Sequence, residues 1–228
     1  MNRRDFTSQF SAAMALWVWA AQAQALSLSD ADASAGLKAA LDHGAAAAVA
    51  LLGRTDGFLG NPKVRIPLPG GLESAAKLLR GLGQGQKVDD LVTAMNRAAE
   101  AAVPEAKPLL GNAVKQMTVT DAKKILGGGD TSVTQFFAEK TRLPLGDKFL
   151  PIVTRATEKV ALADKYNAVA GKAAGFGLVK KEDANVQKYV TGKALDGLFL
   201  IIGEEERKIR QDPVATGSAI LKKVFGAF

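Results

Sequence analysis

Cysteine is absent from the 228 residues, so the chain has neither disulfides nor a thiolate metal site, and a lipid-modified cysteine at an export cleavage point is excluded. Histidine occurs once, as His43. A histidine-built metal site, or a nucleophilic triad with a second supporting histidine, is therefore not available; His43 reads as a helix-surface residue. Internal repeats with periods of about 20–50 residues are missing too, which argues against a solenoid. The run Gly127-Gly128-Gly129-Asp130-Thr131-Ser132 lacks the Gly-Lys-Ser/Thr ending of a phosphate loop and follows a helical pattern rather than a strand. It reads as one helix's end running into the next helix's cap.

A long membrane-crossing run is also lacking at the start, where the apolar stretch Ala12 to Ala21 falls short of the about 17–25 residues a spanning helix needs. What stands there is a signal-peptide pattern. Met1-Asn2-Arg3-Arg4 supplies a basic leader, the apolar run follows, and Ala21-Gln22-Ala23-Gln24-Ala25 holds two overlapping small-residue cleavage sites. Residues 1–25 are expected to be a removable export signal, with residues 26–228 forming one domain that is periplasmic or secreted and not membrane-spanning after cleavage. The pair Arg3-Arg4 with Phe6 resembles a twin-arginine signal, but Asn2 and Thr7 depart from that pattern. Both the twin-arginine and the general secretory routes stay open.

Hydrophobic residues are 47% and charged residues 23% of the chain, the balance of a globular protein with a real core. Loss of Arg3, Arg4 and Asp5 with the signal lowers the formal charge from +7 to +6. A surplus of that size is compatible with simple solubility, and no nucleic-acid partner is expected.

The rest of the chain has helical spacing almost throughout. Leu37, Leu41, Ala45, Ala48 and Leu52 recur every three or four residues, and Gly53 closes the pattern. Three prolines and four glycines between Arg54 and Gly71 forbid a helix there. This is the one long irregular loop, with turn signals at Asp56-Gly57 and Asn61-Pro62 and a short extended piece at Val64-Arg65-Ile66. Its length makes it the first candidate for a binding loop.

Short helices are expected over Leu72–Leu82, Gln86–Val103, Pro104–Met117 (with Pro108 keeping its beginning irregular) and Thr118–Leu126, the last capped by Thr118 or Thr120. A helix begins at Asp130 or Thr131 and is expected to end near Arg142, with Leu143-Pro144-Leu145-Gly146 as a break before another from Lys148 to about Val169. Gly171–Lys181 is weakly patterned. Glu182–Arg210 is expected to be the longest helix and the hub of the bundle, since Leu195–Ile202 is apolar nearly all round apart from Asp196 and Gly197. Pro213 ends it, and Ala215–Phe225 is a final amphipathic helix. The fold class is all-α: a single-domain bundle of about seven to nine helices with one long irregular loop.

The segments Asp56-Gly57-Phe58 to Ile66-Pro67-Leu68-Pro69, Met95-Asn96-Arg97 to Val103-Pro104, Ile125-Leu126-Gly127-Gly128-Gly129-Asp130, and Lys193-Ala194-Leu195-Asp196-Gly197 running on to Asp212-Pro213 together resemble the bacterial domain of unknown function 4197 family. The resemblance covers about Leu28 to Phe225. It implies an exported, helical, single-domain protein and assigns no catalytic role to any position. Val214-Ala215-Thr216-Gly217-Ser218 departs from the more basic and polar stretch of that family.

Candidate binding residues are Asp56, Asn61, Arg65, Asn96, Glu100, Lys193 and Asp196. Asn96 and Glu100 lie four apart on the border of an apolar stripe, where a half-buried polar group needs a partner; Arg65 from the loop is the expected one, making a clasp. Asp196 interrupts an apolar stretch and should be paired, because a lone buried carboxylate is costly. Glu204 with Lys208 and Glu206 with Arg210 read as pairs on a solvated face. No cofactor is expected. The favoured function is a binding or interaction module of the cell envelope, with an apolar small molecule or another envelope protein as partner. The alternative is a carboxylate-based hydrolase-type enzyme working through Glu100, Asp196 or Glu205, with or without a hard cation.

Overall fold

The computed structural model describes residues 30–69, 72–159, 161–177 and 180–212. They form helices α1 (Asp30–Leu52), α2 (Glu73–Gly81), α3 (Gly85–Ala102), α4 (Ala106–Lys115), α5 (Val119–Leu126), α6 (Ser132–Thr157), α7 (Ala161–Gly175) and α8 (Val186–Gln211), with single 3-10 turns at Val103–Glu105 and Lys181–Ala184. No strand occurs among the described residues, so the bundle is all-α. The expected final helix at Ala215–Phe225 lies outside the described residues.

α8 is the hub. It packs against α1, α3 and α6, and Val190, Ala194, Leu195, Leu198, Phe199, Ile201 and Ile202 are all buried. It starts later than the spacing suggested because the Asn185 side chain accepts the Lys188 N–H at 2.9 Å and fixes the first turn. α1 presents Leu37, Leu41, Ala45, Ala48 and Leu52 to the core, and its small residues let α8 approach. Ala33–Leu52 is long and apolar enough to cross a membrane by length and composition, but half of it is buried inside the bundle.

The expected break at Leu143–Gly146 does not occur: α6 runs unbroken through Pro144 and Pro151. A proline inside a helix removes one backbone hydrogen bond and crowds the carbonyl four residues earlier. Here both prolines, and both Lys140 and Asp147 whose carbonyls they free, are exposed. The opposite face, with Phe137, Thr141, Leu145, Phe149, Val153 and Thr157 at four-residue intervals, is buried, and tertiary packing along that stripe outweighs the local cost. Pro108 falls in the first turn of α4, behind the 3-10 turn at Val103–Glu105. α5 is capped by Thr118, whose hydroxyl accepts the Asp121 N–H at 3.1 Å while Asp121 accepts the Thr118 N–H at 3.0 Å.

Candidate functional site

The loop between α1 and α2 is irregular, yet it is pinned at five places. Phe58 and Ile66 are wholly inside the core. Asn96 on α3 accepts the Ile66 N–H at 2.8 Å and donates to the Ile66 carbonyl at 2.9 Å. Glu100, one turn along, accepts the Phe58 and Leu59 N–H groups, both at 3.0 Å. The Tyr189 hydroxyl donates to the Pro67 carbonyl at 3.0 Å, and burial pushes that phenol up to about 12. Lys63 pairs with Glu204 at 2.7 Å. Backbone with no helix or sheet partner must find side-chain partners when buried, and α3 and α8 supply them.

Asn96 and Glu100 are thus both buried and both bound to the loop, as expected of a clasp, but Arg65 is not the third member. Its side chain points outward and is exposed. Val64 and Ile66 on either side are buried, while Arg65 lines the cleft toward α8 instead of meeting Asn96 and Glu100. Arg97 takes its place. Arg97 donates to Glu100 Oε2 at 2.6 Å and to Asp56 at 2.8 Å, and its guanidinium is held above its usual range chiefly by the bond to Glu100 and then by that to Asp56. Asp56 sits at φ 64°, a left-handed turn position that aspartate tolerates. Asn61 stays within the loop, accepting the Lys63 N–H at 3.1 Å.

Arg65, Lys193 and Asp196 meet on a second surface, a cleft of 570 Å³ between the loop and α8 that Tyr189 and Leu200 also line. Asp196 is about half exposed and pairs with Arg142 of α6, with Lys193 at 3.9 Å. The expected counter-charge from another helix is present. The apolar neighbours in sequence point elsewhere, because on a helix they occupy other faces; among them only Leu200 is exposed with it.

The charged end of α8 departs from the solvated reading. Glu204 pairs with Lys63 of the loop, and Lys208 with Glu205. Glu206 is buried, and Arg210 donates to it, to the Ile125 carbonyl and to Ser132 Oγ. This ties α8 to the end of α5 and the start of α6.

A third feature, a groove between helices, had no residues assigned to it from the sequence. α2, α3 and α7 leave an apolar recess of 230 Å³, walled by Leu72, Ala76, Leu79, Val88, Leu91 and Val169, with Lys87 and Lys165 and no carboxylate among its described lining residues. Leu79 and Val169 remain partly open to solvent. The signal was a stripe, Leu72, Ala76 and Leu79, on a helix too short to need so much apolar face; its unfilled partner could not be read without the packing of α7.

These features define the class: an all-α bundle around a central helix, with a side-chain-locked loop and a half-open apolar recess. The chain belongs to the family described as protein of unknown function (DUF4197), whose model matches residues 27–226. No curated protein and no solved structure matches it.

Proposed function

We propose that the protein is exported and acts in the cell envelope as a binding module, with the recess between α2, α3 and α7 as its site. The observation that carries this is the recess itself: apolar side chains from three helices converge on a space that no described residue fills. Well-packed interiors leave few voids larger than a water molecule, and small-molecule sites are concave and mostly apolar with a few polar groups. The carboxylates that an enzyme reading would use are each engaged elsewhere: Glu100 holds the loop, Asp196 faces Arg142 and Glu205 faces Lys208.

Titration with the neutral fluorophore N-phenyl-1-naphthylamine tests the site. Saturable enhancement is expected, and Val169→Glu, which sets a charge into a half-exposed wall position, should abolish it while the circular dichroism spectrum stays helical. Enhancement that survives Val169→Glu undiminished would remove the recess from the proposal. Export is tested separately by intact mass of the protein from a bacterial periplasm, where a start at Gln24 or Leu26 is expected and a full-length, membrane-retained chain would count against it.

A further inference from the structure

We propose that the occupant of the recess is a free single-chain carboxylate of medium length, its hydrocarbon in the recess and its headgroup at Lys87 and Lys165. This rests on the recess being the binding site and adds the chemistry of what enters it.

Three observations carry the assignment. The first is the separation of polarity: the walls are aliphatic, whereas the ionisable lining groups are Lys87, Lys165 and Tyr166. The Tyr166 hydroxyl donates to the Asp183 carbonyl at 2.7 Å, so its polar end is satisfied. The charge at the recess is therefore positive. The second is that this charge is uncompensated among the described residues. Lys87 donates to the neutral Gln84 side chain at 3.2 Å, and neither lysine has an ion pair there, whereas Arg80 on α2 and Arg97 on α3 are both paired with carboxylates. Two exposed ammonium groups beside apolar walls fit an anion joined to a chain better than they fit a neutral or cationic amphiphile.

The third is size: the recess, at 230 Å³ and open on one side, has room for a single hydrocarbon segment laid along its aliphatic walls.

Isothermal titration of the intact protein with decanoate, decanol and decyltrimethylammonium tests the headgroup at constant chain length. Decanoate should bind about tenfold more tightly than decanol, the cation least well, and Lys87→Gln/Lys165→Gln should bring decanoate down to the decanol level without changing decanol. Both lysines are exposed, so the double variant should fold, and unchanged decanol binding reports that it has. Equal affinity for decanoate and decanol would overturn the headgroup assignment and leave the recess reading standing. Tighter binding of the cation would overturn it likewise. Binding to anionic phospholipid vesicles without binding of free decanoate would overturn it in favour of a membrane surface, and failure of all three amphiphiles together with the neutral fluorophore would sink both readings.

Discussion

The side chain of Asn96 meets the main chain of Ile66 face to face: its Oδ1 accepts the Ile66 N–H at 2.8 Å, and its Nδ2 donates to the Ile66 carbonyl at 2.9 Å and to the Val92 carbonyl at 2.8 Å. One amide therefore does for the loop what a neighbouring strand would do for an extended chain. Asn96 is wholly buried, so no water can replace it. Asn96→Leu should leave the Ile66 N–H and carbonyl unsatisfied at about 1–3 kcal/mol each. Asn96→Asp, which keeps the shape but turns an acceptor toward the Ile66 carbonyl, should be no milder. Denaturant midpoints check this, and an Asn96→Asp protein as stable as the parent would refute it.

Arg97→Ala should be costly and Arg65→Ala nearly silent. Removing Arg97 leaves the buried Glu100 without its cation, although Glu100 keeps two backbone donors, so a loss of about 1–3 kcal/mol is expected. Arg65 is exposed, and its removal should fall within about 0.5 kcal/mol of the parent. The reverse order would mean that the loop is held differently in solution.

Gly197 is the point at which α8 accepts the loop. A Cβ there would lie 2.8 Å from Phe58 Cε1 and 3.2 Å from Val64 Cβ, and Phe58 is fully enclosed with its N–H bound to Glu100. Gly197→Ala should therefore destabilise by about 1–3 kcal/mol through overpacking, despite the better helix propensity of alanine. A rise in melting temperature would show that the loop can retreat.

The helices, the caps and the loop were legible because each has a local cause: the Leu37 to Leu52 spacing, the Thr118 cap, the prolines and glycines from Arg54 to Gly71. The clasp was half legible. Asn96 and Glu100 stood out as polar groups on an apolar border, but choosing Arg97 over Arg65 required knowing that Val64 and Ile66 both face inward. Continuity through Pro144 was hidden for a similar reason, since its cost is local and its compensation, the stripe from Val133 to Thr157, is tertiary. The recess depends on how α7 sits against α2 and α3, and no periodicity within one helix reports that.

Burial pushes the Glu206 carboxyl above its ordinary 4.5, and the Arg210 bond opposes this without cancelling it. The folded state thus holds the proton more tightly than the unfolded chain. The contribution is most favourable below 4.5, and it is lost as the pH rises from there through the raised folded value. Glu206→Gln removes that titration and keeps an acceptor for Arg210. Between pH 7 and pH 4.5 the parent should therefore gain stability relative to Glu206→Gln. A difference independent of pH would contradict it, and the opposite slope would mean that the Arg210 pair outweighs burial.

α2 should be the helix that opens most readily. Ala76 is its one residue in the buried core among those whose side chains are described, and Leu78 is 65% exposed, so the apolar surface holding it down is small beside that of α6 or α8. It packs chiefly on α3, and the chain leaves it through Gly83 at φ 75°, a conformation glycine adopts without strain. Local opening costs least where few apolar contacts are broken, so the α2 amides should exchange with deuterium faster than those of α3, α6 and α8. The recess gives this a second consequence. Leu79 and Ala76 form one of its walls, so an occupant adds apolar contact to the helix that has least, and exchange in α2 should slow on addition of N-phenyl-1-naphthylamine while α6 and α8 stay unchanged. Slowing confined to the cleft residues of α8 near Lys193 would instead move the binding site to the loop side of the bundle.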